Sequence, residues 1–180
     1  LPNIYETSHA ANLLQLDNGD ILCTWFSGSG EGNPDTNVVL SRLNVGSNKW
    51  IEPMDLSEDP EHSEQNPVLF QSPDGKIWLF HTSDLPHRQE TSKICLRTSE
   101  DRGYTWEKSG VLFKSEGIFI RHPIVILKSS DWILPVYYCD KSGHYSAVKI
   151  SADKGKSWNE YIVDKSKHRV QMNIIERDDS

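Results

Sequence analysis

The stretch SGSGEGNPDT, residues 27–36, sets two carboxylates, Glu31 and Asp35, in a long glycine-rich loop between two apolar runs. A carboxyl group that its surroundings keep protonated can act as a general acid. Gly30 and Gly32 flank Glu31, which favours its backbone for a close approach. A second set of candidates recurs along the chain. His9, Gln65 with Asn66, Arg121 with His122, and Gln171 are polar residues that stand just before apolar stretches. Arg121 can grip a ligand carboxylate with a two-pronged fork. His9 and His122 can donate hydrogen bonds or move protons near neutral pH. Glu31, Asp35 and His9 are therefore the catalytic candidates, and Arg121, His122, Gln65, Asn66 and Gln171 the binding candidates. The plainer alternative is a solvated loop and ordinary polar strand ends. His81, Asp84, His87, Arg88, Tyr138, Asp140, His144, His168 and Arg169, in the remaining loops, each read as surface residues. Trp25 and Trp78 read as core, and the GSGEGN segment is followed by no helix that could cradle a phosphate.

Two other carboxylates read as structural. SEDRGYTW (99–106) and SADKGKSW (151–158) share the pattern S-x-D-x-G-x-x-W. An Asp in a tight turn accepts bonds from backbone N–H groups, the Gly takes positive φ, and the Trp ring packs between strands. Asp101 and Asp153 are thus expected to be turn staples, with a degenerate copy, LNVGSNKW, at 43–50.

The elements that position these residues repeat. HAANLLQLDNGDIL (9–22), QNPVLFQSPDGKIW (65–78) and RHPIVILKSSDWIL (121–134) align so that Gly19, Gly75 and Asp131 fall 56 residues apart. Each reads as a strand, a turn of Asn, Asp, Ser or Gly, and a second strand. Trp50, Trp106 and Trp158 follow with separations of 56 and 52. Units of about fifty residues built only from strands indicate four-stranded antiparallel blades of a β-propeller. The class is all-β: one partial propeller domain over 1–180, with repeats at about 9–56, 65–113 and 121–163 and the first strand of a fourth at 170–180. The inner strand A of each blade is expected at 10–16, 67–71 and 123–127. In such a blade the A–B and C–D turns share one face of the propeller, and the strand-A starts and B–C loops share the other.

Composition bounds the rest. The 180 residues are 25% charged and 36% hydrophobic, with net charge −7. The acidic balance and the lack of a basic cluster argue against nucleic acid as a partner. No apolar run approaches the roughly 20 residues that cross a bilayer. The three cysteines, Cys23, Cys95 and Cys139, are far apart and lie in apolar runs, so they read as small buried side chains. Their odd number and the absence of a glycosylation sequon lean towards a cytoplasmic setting. No residue pattern calls for a metal or another cofactor, and nothing fixes an oligomeric state.

The S-x-D-x-G-x-x-W turns resemble the Asp-box of sialidases and related BNR-repeat proteins, and SHAANLLQLDNGDILCTWFSGSGEGNPD and QNPVLFQSPDGKIWLF are similar to the sialidase-like branch of that family. The resemblance implies a six-bladed propeller with a glycan site on its axis, of which this chain is the N-terminal half. It also implies a glycan or oligosaccharide substrate, with cleavage of terminal, acidic sugars. Sialidases open their first blade with Arg-Ile-Pro, where this sequence reads His9-Ala10-Ala11, and their Tyr nucleophile and its Glu partner belong to later blades. Three activities stay open: a sialidase-like glycoside hydrolase, a lyase on uronate-containing polysaccharide, and a non-catalytic glycan-binding propeller.

Overall fold

The computed structural model describes residues 2, 5–141 and 143–177. Thirteen strands and one 3-10 turn, Gln89–Thr91, follow one another among these residues. They form three antiparallel sheets. The first runs β1 (Thr7–Gln15), β2 (Ile21–Gly28), β3 (Asn37–Leu43) and β4 (Met54–Asp55). The second runs β5 (Ser63–Gln71), β6 (Ile77–Asp84), β7 (Lys93–Ser99) and β8 (Gly110–Phe113). In the third, β9 (Ile118–Ile120) and β10 (Val125–Ile126) both pair with β11 (Trp132–Asp140), followed by β12 (Gly143–Ser151) and β13 (Asn159–Ile162). The chain is all-β and carries the four-stranded blades of a propeller.

Alternation along the strands explains how the sheets stack. Side chains of a strand point to opposite faces in turn. On β6, Ile77 and Leu79 pack with Leu16, Leu22, Val38, Leu40 and Leu56 of the first blade. Their neighbour Phe80 packs with Val68, Phe70, Ile94 and Phe113 against Ile118, Ile120, Trp132, Leu134 and Val136 of the third. Each middle strand is therefore apolar on both faces, which is why ILCTWF and IWLF read as continuous runs. The last strands are short, and Met54, Val111, Tyr161 and Ile162 on them are exposed, as suits the rim edge of a blade.

The S-x-D-x-G-x-x-W turns join blades as well as closing hairpins. Asp101 accepts the Ser99 hydroxyl at 2.8 Å, the Thr105 hydroxyl at 2.6 Å and the amides of Tyr104 and Thr105 at 3.0 and 2.8 Å. Those bonds, led by the Thr105 hydroxyl, hold its carboxyl down at about 2. Asp153 repeats the set with Ser151 and Ser157. Gly155, at φ +84°, lies so close to the preceding blade that a Cβ there would come within 2.8 Å of the Trp78 ring. The first blade lacks such a turn and contributes an ion pair instead. Arg42 Nη1 bonds Asp20 Oδ2 at 2.8 Å, both side chains about 5% exposed. The same guanidinium donates to the Arg102 carbonyl and lies 4.1 Å from the centre of the Tyr104 ring. Arg42 thus ties the first blade to the Asp-turn of the second.

The inner strands depart from the expected boundaries in a consistent way. β1 and β5 begin three to four residues earlier than the sequence suggests, at Thr7 and Ser63, because each carries a bulge that the alternation conceals. The register slips by one residue between His9 and Asn12 and again between Gln65 and Val68. Ala10 (φ 56°) and Asn66 (φ 49°) take the left-handed conformation at these points. In the third blade the strand breaks outright between Ile120 and Val125, where Pro123 has no N–H to offer the ladder. Residues 170–177 join no sheet among the described residues, although Gln171 repeats the left-handed turn at φ 57°. The remainder of the expected fourth strand, 178–180, lies outside the described residues.

Three residues read as surface are buried: His81, Asp84 and Tyr138 are 1%, 2% and 4% exposed. They sit at the ends of B strands, which continue under the loops. Trp78 is only half-buried, whereas Trp25 is core. Cys23 and Cys95 are buried and Cys139 half-buried. The seam between the first two blades turns polar towards the B–C loops. Burial pushes the Glu64 carboxyl up to about 6, opposed by the Ser57 hydroxyl and Arg97. Burial and Arg97 hold His81 down to about 3. Burial, with smaller effects from Glu31 and Glu90, lifts Asp84 to about 7, while His62 pulls the other way.

Two outcomes follow for stability. Arg42→Met leaves Asp20 buried without its cation, so the urea midpoint falls, and Asp20→Asn in the Arg42→Met background recovers part of the loss; a double variant no better than the single one contradicts the ion-pair account. Asp84 binds a proton more tightly folded than unfolded, so its contribution is complete below about pH 4 and lost as pH rises through about 7. Asp84→Asn is therefore expected to gain stability relative to the parent between pH 5 and pH 8, read as the difference in their melting temperatures at the two pH values. An unchanged difference rules it out.

Candidate functional site

At the head of the inner strands a cleft of about 320 Å³ opens between the blades. His9 and Ala10 reach it from β1, Gln65 and Asn66 from β5, and Arg121 from the break between β9 and β10. Gln171 reaches it from the segment after β13. Glu31 enters from the first B–C loop, Gln89 from the second and His144 from the start of β12. The bulges are what deliver the inner-strand residues. An extra residue in one strand bends it and re-aims the side chains beside it, and His9 and Gln65 each directly precede the left-handed residue.

Of the eight residues picked from the sequence, six line the cleft: His9, Glu31, Gln65, Asn66, Arg121 and Gln171. His122 and Asp35 are not among its lining residues. Asp35 is engaged within its own loop, where it accepts the Ser29 amide at 3.2 Å and the Ser29 hydroxyl at 2.9 Å. It braces the loop in the same manner as Asp101 braces its turn. The loop is held further by Thr36, whose hydroxyl donates to the Gly30 carbonyl at 2.7 Å, and by the His87 amide on the Gly32 carbonyl at 3.1 Å. Gly32, at φ +83°, leaves room for no more than 3.0 Å between a Cβ and the His87 ring. Glu31 is thereby carried on a loop fixed at both flanks.

His9 Nδ1 and Glu31 Oε2 are 3.3 Å apart, with both side chains more than half exposed. The imidazole packs edge-on against Phe26, ring centres 5.2 Å apart. Gln65 is buried and its side-chain amide donates to Ser63 Oγ at 2.8 Å, while its main-chain carbonyl accepts the Thr82 hydroxyl at 3.0 Å. The wall opposite is aromatic: Phe119 and Tyr137 stack with centres 5.2 Å apart. Burial, followed by the nearby Cys139, pushes the Tyr137 phenol up to about 12, against hydrogen bonding to Gln171 and the charge of Arg121. Tyr137 is therefore a neutral donor at physiological pH. The arrangement joins one cation, one imidazole–carboxylate pair, several amides and an apolar wall, which suits a polar ligand that carries a carboxylate.

Sequence reasoning missed Phe119, Tyr137, Cys139 and Gln89. The alternation of β11 held a signal for two of them: Tyr137 and Cys139 lie on the opposite face from Trp132, Leu134, Val136 and Tyr138, which meet the second blade. Among the described residues, no group of three or more His, Cys, Asp or Glu side chains is placed to hold a metal ion. Nor is any helix long and apolar enough to cross a membrane.

Comparison with known proteins agrees with the bladed fold. The profile of the BNR repeat-like domain matches residues 19–180. No curated protein sequence matches the chain significantly. Among solved structures, the Hadza microbial sialidase Hz136 superposes with a TM-score of 0.74 at 12% identity, over 87% of this chain and 37% of that one. Trypanosoma rangeli sialidase in complex with sialic acid gives 0.66 at 12% identity, over 88% and 30%. Penicillium chrysogenum α-L-arabinanase complexed with arabinobiose gives 0.63 at 19% identity, over 89% and 50%. The chain thus spans half or less of the length of these propellers, and at such identities the likeness is one of fold. With the repeat profile extending over nine-tenths of its length, the chain belongs to the BNR repeat-like domain family.

Proposed function

We propose that this chain supplies one side of the axial site of a sialidase-like glycoside hydrolase that acts on terminal, acidic sugars of glycans. The observation that carries the reading is the convergence on one cleft of Arg121 from the third blade with His9 and Glu31 from the inner strand and B–C loop of the first. Arg121 pairs with the sugar carboxylate and sets the ring's orientation. Gln65, Asn66 and Gln171 supply hydrogen bonds to its hydroxyls, and the Phe119–Tyr137 wall takes its apolar face. Glu31, 3.3 Å from His9, is the proton donor to the leaving oxygen. His9 adjoins it as the group that passes the proton back from solvent. The remaining wall, and any nucleophile, come from further blades in this reading, which together make a six-bladed ring.

The test uses the full-length protein and a fluorogenic sialoside. Arg121→Ala is expected to raise KM by about tenfold or more, since it removes a carboxylate partner. Glu31→Gln lowers kcat by about a hundredfold and spares binding, in the range of general-acid contributions. Asp35→Asn, which touches only the loop brace, lowers thermal stability more than it alters the pH profile. Full turnover in both Arg121→Ala and Glu31→Gln would falsify the site.

A further inference from the structure

The two junctions between blades differ at the turn face, the end opposite the axial cleft. In the first, Arg42 fills the space between Asp20 and the Arg102–Tyr104 turn. One repeat further along, the aligned positions have changed character. Lys76 stands for Asp20, Thr98 for Arg42, Trp78 for Leu22, and Lys156 for Tyr104. The register confirms the match, since Leu22 pairs with Arg42 and Trp78 with Thr98. At this junction the guanidinium has given way to a short hydroxyl side chain, and a cleft of about 350 Å³ is lined by Lys76, Trp78 and Lys156 with Trp132, Lys154 and Gly155.

Its floor is the half-buried Trp78, backed by the buried Trp132 at 5.5 Å between ring centres. The indole plane is fixed: Nε1 donates to Ser72 Oγ at 3.3 Å and Gly155 presses on its edge. Two of the charged lining groups are already engaged. Lys76 pairs with Glu100 at 2.7 Å, and Asp74 accepts the Ser72 hydroxyl at 2.5 Å. Lys154 and Lys156 are exposed at the rim and have no ion-pair partner among the described residues. A rigid aromatic plane beneath two free ammonium groups, in a space of small-ligand size, fits a ring with an apolar face and an anionic substituent.

We propose that this cleft is a second saccharide site, which takes an acidic sugar residue by stacking it on Trp78 and pairing its carboxylate with Lys154 and Lys156. The choice of a saccharide over an acidic peptide rests on the glycan reading above; the location and the charge preference do not. The site faces away from the axial cleft, so it holds a second glycan chain without competing with the first.

The test follows the indole N–H resonance of Trp78, assigned through Trp78→Phe, in the full-length protein. The probes are glucuronate, N-acetylneuraminate, methyl galactoside, inorganic phosphate and a blocked Glu-Glu dipeptide. The two acidic sugars are expected to shift the resonance, and methyl galactoside to leave it unmoved at equal concentration. Lys154→Ala/Lys156→Ala, both exposed and outside the core, weakens the acidic sugars about tenfold. Arg121→Ala leaves the shift intact. No shift with either acidic sugar, or an equal affinity in the double lysine variant, overturns the site. Phosphate or the dipeptide binding as tightly as the sugars overturns the saccharide assignment. A shift abolished by Arg121→Ala places the signal at the axial cleft and overturns the proposal, whereas a shift retained in a full-length protein that turns over no sialoside overturns the hydrolase reading alone.

Discussion

Everything in this chain depends on apolar seams between sheets that could not stand alone. A four-stranded blade with both faces apolar has no stable state in water until a neighbour covers each face. The second blade is covered twice, by Leu22, Val38 and Leu40 on one side and by Ile118, Leu134 and Val136 on the other. The alternation of β6 divides its residues between those two partners. The Asp-turns act at the same seams from the edge. Asp101 and Asp153 order their own loops, and Gly103 and Gly155 let those loops lie against the blade before. Hairpin closure and blade packing are thus one device, which accounts for the retention of a glycine at a point where Arg42 or Trp78 presses in.

The axial cleft inherits its precision from these seams. No single blade holds the site. His9 belongs to the first, Gln65 to the second and Arg121 to the third, so their mutual placement is a property of the stack. Glu31, which reaches the site from a loop, is tied by Asp35, Thr36 and the amide of His87. The polar end of the first seam, with Glu64 and His81 buried, places ionisable groups where the blades would otherwise be sealed with leucine.

The sequence carried most of the fold. The 56-residue spacing of Gly19, Gly75 and Asp131 and the two Asp-turns defined the blades, since each repeat must solve the same packing problem in the same way. Of the six candidate residues that line the cleft, five stand at matching polar positions of the repeats and Glu31 comes from the glycine-rich loop. What the sequence hid has physical causes. A bulge shifts pairing by one residue without altering composition, so the strand starts at Thr7 and Ser63 were placed too late. Asp35 and Glu31 look alike in a glycine-rich loop, and only the Ser29 contacts separate brace from candidate acid. Asp84 and His81 are common surface types, and their burial depends on the neighbouring blade, which local pattern does not encode. Arg42 carried no motif at all; its role emerges only where Asp20 and the Arg102 carbonyl meet it.

The left-handed residues Ala10 and Asn66 make each inner strand one residue longer than the ladder it faces. Excising either would restore an unbroken ladder and, because side chains alternate, turn every residue on its N-terminal side to the other surface of the sheet. His9 or Gln65 would then leave the channel and its neighbour would take its place, while the apolar half of the strand kept its register. Single-residue insertions and deletions at these two points are accordingly a route by which the chain can exchange the lining of its channel as a set and leave its interior untouched.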